Sequence, residues 1–516
     1  MIIKEIEDVV QKYVEASSKQ WGRYLITEKQ LSPGEIILRE KPLAVGPAVF
    51  NKNLLCFGCS KIIPNDPIQM GKVQCKTCDT AIFCSPPCEE RQGLHTHLEC
   101  GAFKKCGHLK DLDWTEFRHI IFPLRLWLLR EANEESWEEI MKLEAHLKER
   151  KDTQVWHDRQ ETVINVLKRV GLVDNSDDLL QRICGIIDVN SFELRSPGAL
   201  DNSLLRGLYP KAALMAHDCR GNTYLTVDDD FNLTVYASVS IEKGGAILFN
   251  YTSSLMGTFD RRTFLWTGKY FNCNCAMCRH PEELGAHLSS ILCPRCKKGY
   301  VGVEEPYVVN TFIRKRNWFC GNCKRLYSGK LIRGTLDLAE WQIMRYHHLT
   351  AKDLEKLIEN LTRTFHPHHS LLLNLKQKLL TIYRKELMSL HPEKHILRRM
   401  VELCRELVEV LEIVEPGISR LKGIMLYEMH RPIVILANRM YASREISSEE
   451  LAIRLEEATK YLKNALSMLL LEPASTPEGL LVKRALQEYK TLNQRLEDVR
   501  SLPSASESSI TFSHYL

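Results

Sequence analysis

The residues with most chemistry to offer are cysteines. They recur as Cys56-x2-Cys59, Cys75-x2-Cys78, Cys84-x3-Cys88 and Cys100, as Cys273-x-Cys275-x2-Cys278, and as Cys293-x2-Cys296 with Cys320-x2-Cys323. Two thiolates two or three residues apart reach one ion from a single turn, and four thiolates, or three and an imidazole, complete tetrahedral zinc. The first group has seven cysteines with His95 and His97 nearby, enough for two ions. The 293–323 group is a complete four-cysteine site. The 273–278 group supplies three ligands, and its fourth is expected far upstream at Cys219, in Ala216-His217-Asp218-Cys219-Arg220-Gly221-Asn222. Of the 18 cysteines only Cys106, Cys184 and Cys404 are then left over. Four zinc ions follow, and disulfides are not expected if the compartment is reducing.

Such ligands need strands and helices to hold them. Residues 20–50 read as strands and turns, with Ser32-Pro33-Gly34 ahead of Ile36-Ile37-Leu38. Strand character returns over 205–251, as in Leu233-Thr234-Val235-Tyr236-Ala237. Between them, 112–185 has helical apolar spacing, with Phe122, Leu124, Leu126, Trp127 and Leu128 crowded together. After about 335 the pattern is helical throughout. Stripes cover 371–390 and 396–414. Ser447-x2-Glu450 reads as a helix start for Leu451, Leu455, Ala458, Leu462, Leu466 and Leu469. No 34-residue period survives, so a bundle and a helical-hairpin array both fit. The Ser-rich stretch 501–509 reads as a loose tail.

Composition narrows the function. In 516 residues, 44% are hydrophobic and 26% charged, ordinary for a globular chain. A net charge of +5 from 70 basic and 65 acidic side chains is too small to predict nucleic-acid binding. Ile313-Arg314-Lys315-Arg316, before the last cysteine pair, reads as a solvated face of a structural zinc ribbon. No apolar run approaches a membrane span, and the charged opening Met1-Ile2-Ile3-Lys4-Glu5 is unlike a secretory leader. An intracellular protein of cytoplasm and/or nucleus is expected.

The first cysteine group resembles a MYND zinc finger. The resemblance implies interleaved pairs: Cys56, Cys59, Cys84 and Cys88 on one zinc, and Cys75, Cys78, a histidine and Cys100 on the other. The usual histidine slot holds Thr96. His97 is the expected ligand over His95, because three residues' separation from Cys100 keeps one helix face. By the same resemblance, proline-rich peptides are candidate partners.

The flanking segments resemble a SET methyltransferase domain split by that finger, as in the SET-and-MYND (SMYD) family. The resemblance rests on Gly22-Arg23-Tyr24-Leu25 with Ser32-Pro33-Gly34-Glu35, on Asn190-Ser191-Phe192, on Gly207-Leu208-Tyr209-Pro210 leading to His217 and Asn222, and on Ile247-Leu248-Phe249-Asn250-Tyr251 followed by Arg261-Arg262 and Phe271-x-Cys273. It implies methyl transfer from S-adenosylmethionine to a lysine of a protein substrate, histone or not. Tyr251 would be the catalytic tyrosine. Gly22, Arg23, Asn190, Ala216, His217, Tyr251 and Phe271 would hold the cofactor or wall the lysine channel. The extra four-cysteine module resembles the insect-type branch of the family.

Five positions depart from the pattern, Asp218 in place of a serine among them. Ala216 replaces an asparagine, Gly245 and Ala246 replace two glutamates, and Lys269 replaces a channel aromatic. They favour the alternative reading, a catalytically inactive scaffold. The expected architecture is α+β and monomeric: split SET halves at 1–50 and 186–265, the finger at 56–100, a helical insert at 101–185, post-SET zinc at 266–282, a zinc module at 290–326, a TPR-like helical domain at 335–500 that selects substrates, and a tail at 501–516.

Overall fold

The structure is a computed structural model that describes residues 12–64, 73–174, 176–198, 205–303, 317–345, 350–387 and 392–501. The basic stretch 313–316, the opening residues and the tail from 502 lie outside the described residues.

The β-rich core is assembled from chain segments far apart in sequence. Tyr13–Ser18 and Gly22–Thr27 form an antiparallel hairpin. Ile36–Glu40 pairs with Leu233–Ala237, which also pairs with Thr223–Val227, giving a three-stranded antiparallel sheet. Ala44–Pro47 pairs with Leu205–Leu208, and Phe192–Leu194 completes a second three-stranded sheet. Both sheets need an early strand and a late one, so the segment between is an insertion into one domain. Leu25, Leu31, Val45, Leu205, Tyr209, Leu233 and Val235 form the core under these sheets, each almost fully buried.

Inside the insertion, the cysteine-rich region carries the short hairpin Val73–Gln74 with Ile82–Phe83 and the helices Pro86–Arg91 and His97–Lys105. It shares a hydrophobic core with the helix Trp114–Ala132 and the helices that follow, up to Asp177–Asn190. The finger is thus packed on its neighbour rather than tethered beside it. The last insert helix runs to Asn190, five residues beyond the expected limit, because Leu180, Ile183, Cys184 and Ile187 keep one buried stripe.

After the helix Thr258–Lys269, a four-stranded sheet of Ile291–Leu292, Tyr300–Val303, Asn317–Cys320 and Leu326–Ser328 forms the late cysteine module. Seven helices close the described chain: Gly329–Met344, Ala351–Thr362, Ser370–Glu386, Lys394–Val414, Arg420–Ala442, Ser448–Leu469 and Pro477–Arg500. Ser447 caps its helix, with its Oγ accepting from Glu450 N–H at 3.1 Å, and the stripe from Leu451 to Leu469 is buried. One continuous core joins these helices to both late cysteine groups.

The helical lobe leans back onto the β-rich core. Ile418 donates its N–H to the Ser238 carbonyl at 2.9 Å, and Arg420 donates to the Leu225 carbonyl at 2.8 Å. Arg195 grips Glu478 through two bonds of 2.9 and 3.0 Å, and Tyr224 donates to Glu472. Among the described residues no helix is long and apolar enough to cross a membrane.

Candidate metal centres and active-site cleft

Four sets of side chains converge with all ligand atoms of a set within 4.8 Å of one another: Cys56, Cys59, Cys84 and Cys88; Cys75, Cys78, His95 and Cys100; Cys219, Cys273, Cys275 and Cys278; Cys293, Cys296, Cys320 and Cys323. A Zn–S bond of about 2.3 Å requires tetrahedral S···S edges of about 3.8 Å. Sγ pairs in each set match that scale: Cys56–Cys88 at 3.5 Å, Cys59–Cys84 at 3.7 Å, Cys75–Cys100 at 3.8 Å, Cys219–Cys278 at 3.5 Å, Cys219–Cys273 at 3.8 Å and Cys293–Cys323 at 3.7 Å. Donor type and spacing therefore fit zinc at each set. The interleaved pairing and the distant Cys219 both occur in this geometry.

His97 is not in any set, which corrects the expectation from spacing. His95 takes the place, with Nε2 at 3.5 Å from Cys78 Sγ. Thr96 explains the difference. Its side chain accepts from Glu99 N–H and makes it the N-cap, so His97 opens the helix facing solvent while His95 lies just before it, fully buried. His97 and Cys100 do share the helix, but as its first residue His97 faces solvent, so the shared spacing does not bring its imidazole to the thiolates. His95 Nδ1 bonds Glu99 Oε2 at 2.8 Å, and Arg125 Nε holds the other Glu99 oxygen at 2.9 Å. A carboxylate behind a ligating imidazole fixes its tautomer and strengthens it as a ligand. Burial pushes Glu99 up, but Arg125 and His95 outweigh it and hold the carboxyl below its usual range. Sequence reading missed this pair, although His95 and Glu99 are four apart.

At the third set, Arg261 is fully buried, with Nη2 at 4.0 Å from Cys278 Sγ and 3.5 Å from Glu283. Its charge offsets thiolates that zinc alone would leave with net negative charge.

Cys219 also anchors a cleft. Ala216–His217 pairs in parallel with Leu248–Phe249, and Asn222 locks the crossing by donating to Ala246 O at 2.8 Å and accepting from Leu248 N–H at 2.7 Å. This places Tyr251 beside His217, whose Nδ1 accepts from Tyr251 N–H at 3.1 Å. The Tyr251 hydroxyl donates to the Met215 carbonyl, a partner with no sequence signal. Phe271 stands edge-on to Tyr251, ring centres 6.5 Å apart, and 5.7 Å from His217. Burial pushes the Tyr251 phenol up, so it stays protonated at neutral pH. Burial drives His217 down to about 4.

The cleft above them has a volume of about 1320 Å³ and is lined by Gly22, Arg23, Asn190, Ala216, His217, Tyr251 and Phe271, with Glu415, Arg420, Glu472 and Glu478 of the helical lobe on the far rim. Gly22 adopts φ +67, and a Cβ there would meet nothing within 4 Å, so the backbone is bare on that side. Arg23 pairs with Glu15 and donates to the Lys142 carbonyl. Asn190 spends its amide hydrogens on Glu144 O and Ile186 O, at 2.8 and 2.9 Å.

Two departures from the sequence pattern fall away from the cleft. Gly245 and Ala246 pair with Thr27 and Ile26 and are not among the lining residues. Lys269 is inside it. Its Nζ donates to the Val189 carbonyl and lies 5.6 Å from the Tyr251 ring centre. Burial, helped by Arg206, lowers the amine to about 8.

No protein-family model matches the chain. Individual relatives do. It is 27% identical over 406 residues to the SET domain-containing protein SmydA-8, isoform A, of Drosophila melanogaster, covering 77% of this chain and 83% of that one. It is 23% identical over 434 residues to the Histone-lysine N-methyltransferase ASHR1 of Arabidopsis thaliana, covering 79% and 84%. It is 23% identical over 271 residues to the human Histone-lysine N-methyltransferase SMYD3, covering 51% and 60%. A solved SET domain, that of LSMT bound to lysine and AdoHcy, aligns with 14% identity over 81% of this chain and 87% of that one; its TM-score is 0.25, too low to bear on the fold. An interrupted β-rich domain, four cysteine-rich sets that could hold metal ions and a helical lobe over a tyrosine-floored cleft are the features this chain combines. Over most of its length the chain is similar to SET domain-containing and SET and MYND domain-containing proteins.

Proposed function

We propose that this chain is a protein-lysine methyltransferase that uses S-adenosylmethionine, with four structural zinc ions. The observation that carries the reading is the floor of the cleft, where the Tyr251 hydroxyl, the Met215 carbonyl, His217 and Phe271 surround one buried point. The names of the relatives support the same chemistry.

The cleft fits the cofactor in size and donor set. Its volume exceeds the few hundred Å³ of a typical small-ligand site and leaves room for an acceptor side chain. The bare backbone at Gly22 permits close approach, and Asn190 Oδ1 remains as an acceptor for a cationic amino group. When bound, the cofactor would supply an electrophilic methyl on a sulfonium. The protein's part is to hold a neutral amine in line with it and exclude water. Tyr251, a neutral phenol, orients by hydrogen bonding and takes no proton. Phe271 and the His217 ring wall the path. The helical lobe rim, with Glu415, Glu472 and Glu478, restricts which proteins enter.

Calorimetry of S-adenosylmethionine with zinc-replete protein tests this reading. Micromolar binding is expected, and Tyr251→Phe should retain it while transfer to core histones falls at least about 100-fold. No binding at millimolar cofactor would sink the enzyme reading. The second reading, an adaptor recruiting proline-rich peptides through the finger, would then stand, and Ala216 and Lys269 within the cleft favour it.

A further inference from the structure

We propose that Lys269 is an intramolecular methyl acceptor: the enzyme methylates its own Lys269 within the cleft. This rests on the methyltransferase reading and adds an acceptor to it.

The argument is positional. Lys269 ends the helix Thr258–Lys269, and Tyr270 follows in the left-handed region at φ +61, turning the chain toward Phe271 and the zinc ligands. The side chain enters the cleft that Tyr251 and His217 floor. Its amine lies over the Tyr251 ring, 5.6 Å from the centre, within cation–π range. An acceptor lysine must bring a nitrogen into the same dry aromatic surround. The amine's hydrogen bond goes to the Val189 carbonyl, and no carboxylate pairs with it among the described ion pairs. Lys142 also lines the cleft, but its side chain is 63% exposed. Methyl transfer consumes a neutral amine, and burial beside Arg206 eases loss of the Lys269 proton.

The step balances simply. The ammonium proton leaves to water, and the Nζ lone pair bonds the methyl carbon of S-adenosylmethionine. The carbon–sulfur bond breaks, its electron pair staying on sulfur as the thioether product. The transfer leaves a methylammonium, so a methylated Lys269 keeps its positive charge but loses a donor and gains bulk at the acceptor's place.

The test uses full-length, zinc-replete protein incubated with trideuteromethyl S-adenosylmethionine, so that new methyl groups are distinguished from any acquired during expression. Peptide mass spectrometry should find label on Lys269, with an initial rate per molecule independent of protein concentration, and Lys269→Arg should lose it. A second readout needs no turnover. Acetylation of Lys269 by acetic anhydride should slow at least about fivefold when S-adenosylhomocysteine is bound. Label on core histones with none on Lys269 would overturn self-methylation and leave the enzyme reading standing. So would faster histone labelling by Lys269→Met with Lys269 unlabelled in the parent, which would make the side chain a plug. Unchanged acetylation with product demonstrably bound would also overturn the proposal. Failure of both cofactor and product to bind would overturn the proposal and the enzyme reading together.

Discussion

At the scale of single residues, the finger turns on which histidine faces the metal. His95 is buried, backed by Glu99 and Arg125, whereas His97 faces solvent one residue past the Thr96 cap. His95→Ala should lower zinc content from four ions per chain to three and open the finger, read by native mass spectrometry and thiol accessibility. His97→Ala should leave all four. Glu99→Gln keeps the shape but weakens the hydrogen bond behind the ligand, so zinc affinity at that set should fall about 10- to 100-fold. Cysteine spacing alone makes the thiolate ligands legible. The histidine is not legible in that way, because two candidates two residues apart are separated by where the helix begins, and one threonine side chain sets that.

At the scale of elements, the helix Asp177–Asn190 links the insert to the cleft, since Val189 and Asn190 at its end line the pocket. Asp188, within the last turn of that helix, accepts from Arg150 at 2.7 Å and from Arg159 Nε at 3.2 Å. Burial raises the Asp188 carboxyl, but the charges of Arg159 and Arg150 outweigh it and leave it below the usual aspartate range. A depressed carboxylate contributes stability above its unfolded pKa of about 4, and that stability is lost as pH falls through the lower folded value. Asp188→Asn strands two buried guanidinium groups and should cost about 3 kcal/mol at pH 7 in urea unfolding. As pH falls through that lowered folded value the gap between variant and parent should close. A variant as stable as the parent at pH 7 would refute the assignment. The helix itself is readable from its apolar stripe. Its last turn is not, because Asn190-Ser191-Phe192 also reads as the opening of the following strand.

At the scale of the whole molecule, the lobe and the β-rich core meet at a glycine. Gly417 has φ +76, and a Cβ there would overlap the Ser238 carbonyl, next to the Ile418–Ser238 bond. Gly417→Ala should therefore destabilise docking by about 2–4 kcal/mol, from left-handed strain and steric overlap together. Limited proteolysis between lobe and core should accelerate, while zinc content stays at the parent value. The lobe bounds the cleft, because Glu415, Glu472 and Glu478 line one side of it and Arg195 and Tyr224 bond to the lobe there.

By itself, the sequence determined which cysteines cluster, the succession of strand and helix, and the order of motifs, since cysteine spacing, apolar period and turn residues act over a few neighbouring positions. Glu415-Pro416-Gly417 is legible as a helix break and Ser447 as a helix start for the same reason. Tertiary structure alone decided what each motif faces. It set Met215 against Tyr251 and removed Gly245 and Ala246 from the cleft. Those outcomes depend on strands paired across an insertion of well over a hundred residues, and no local pattern encodes which surfaces such a closure brings together.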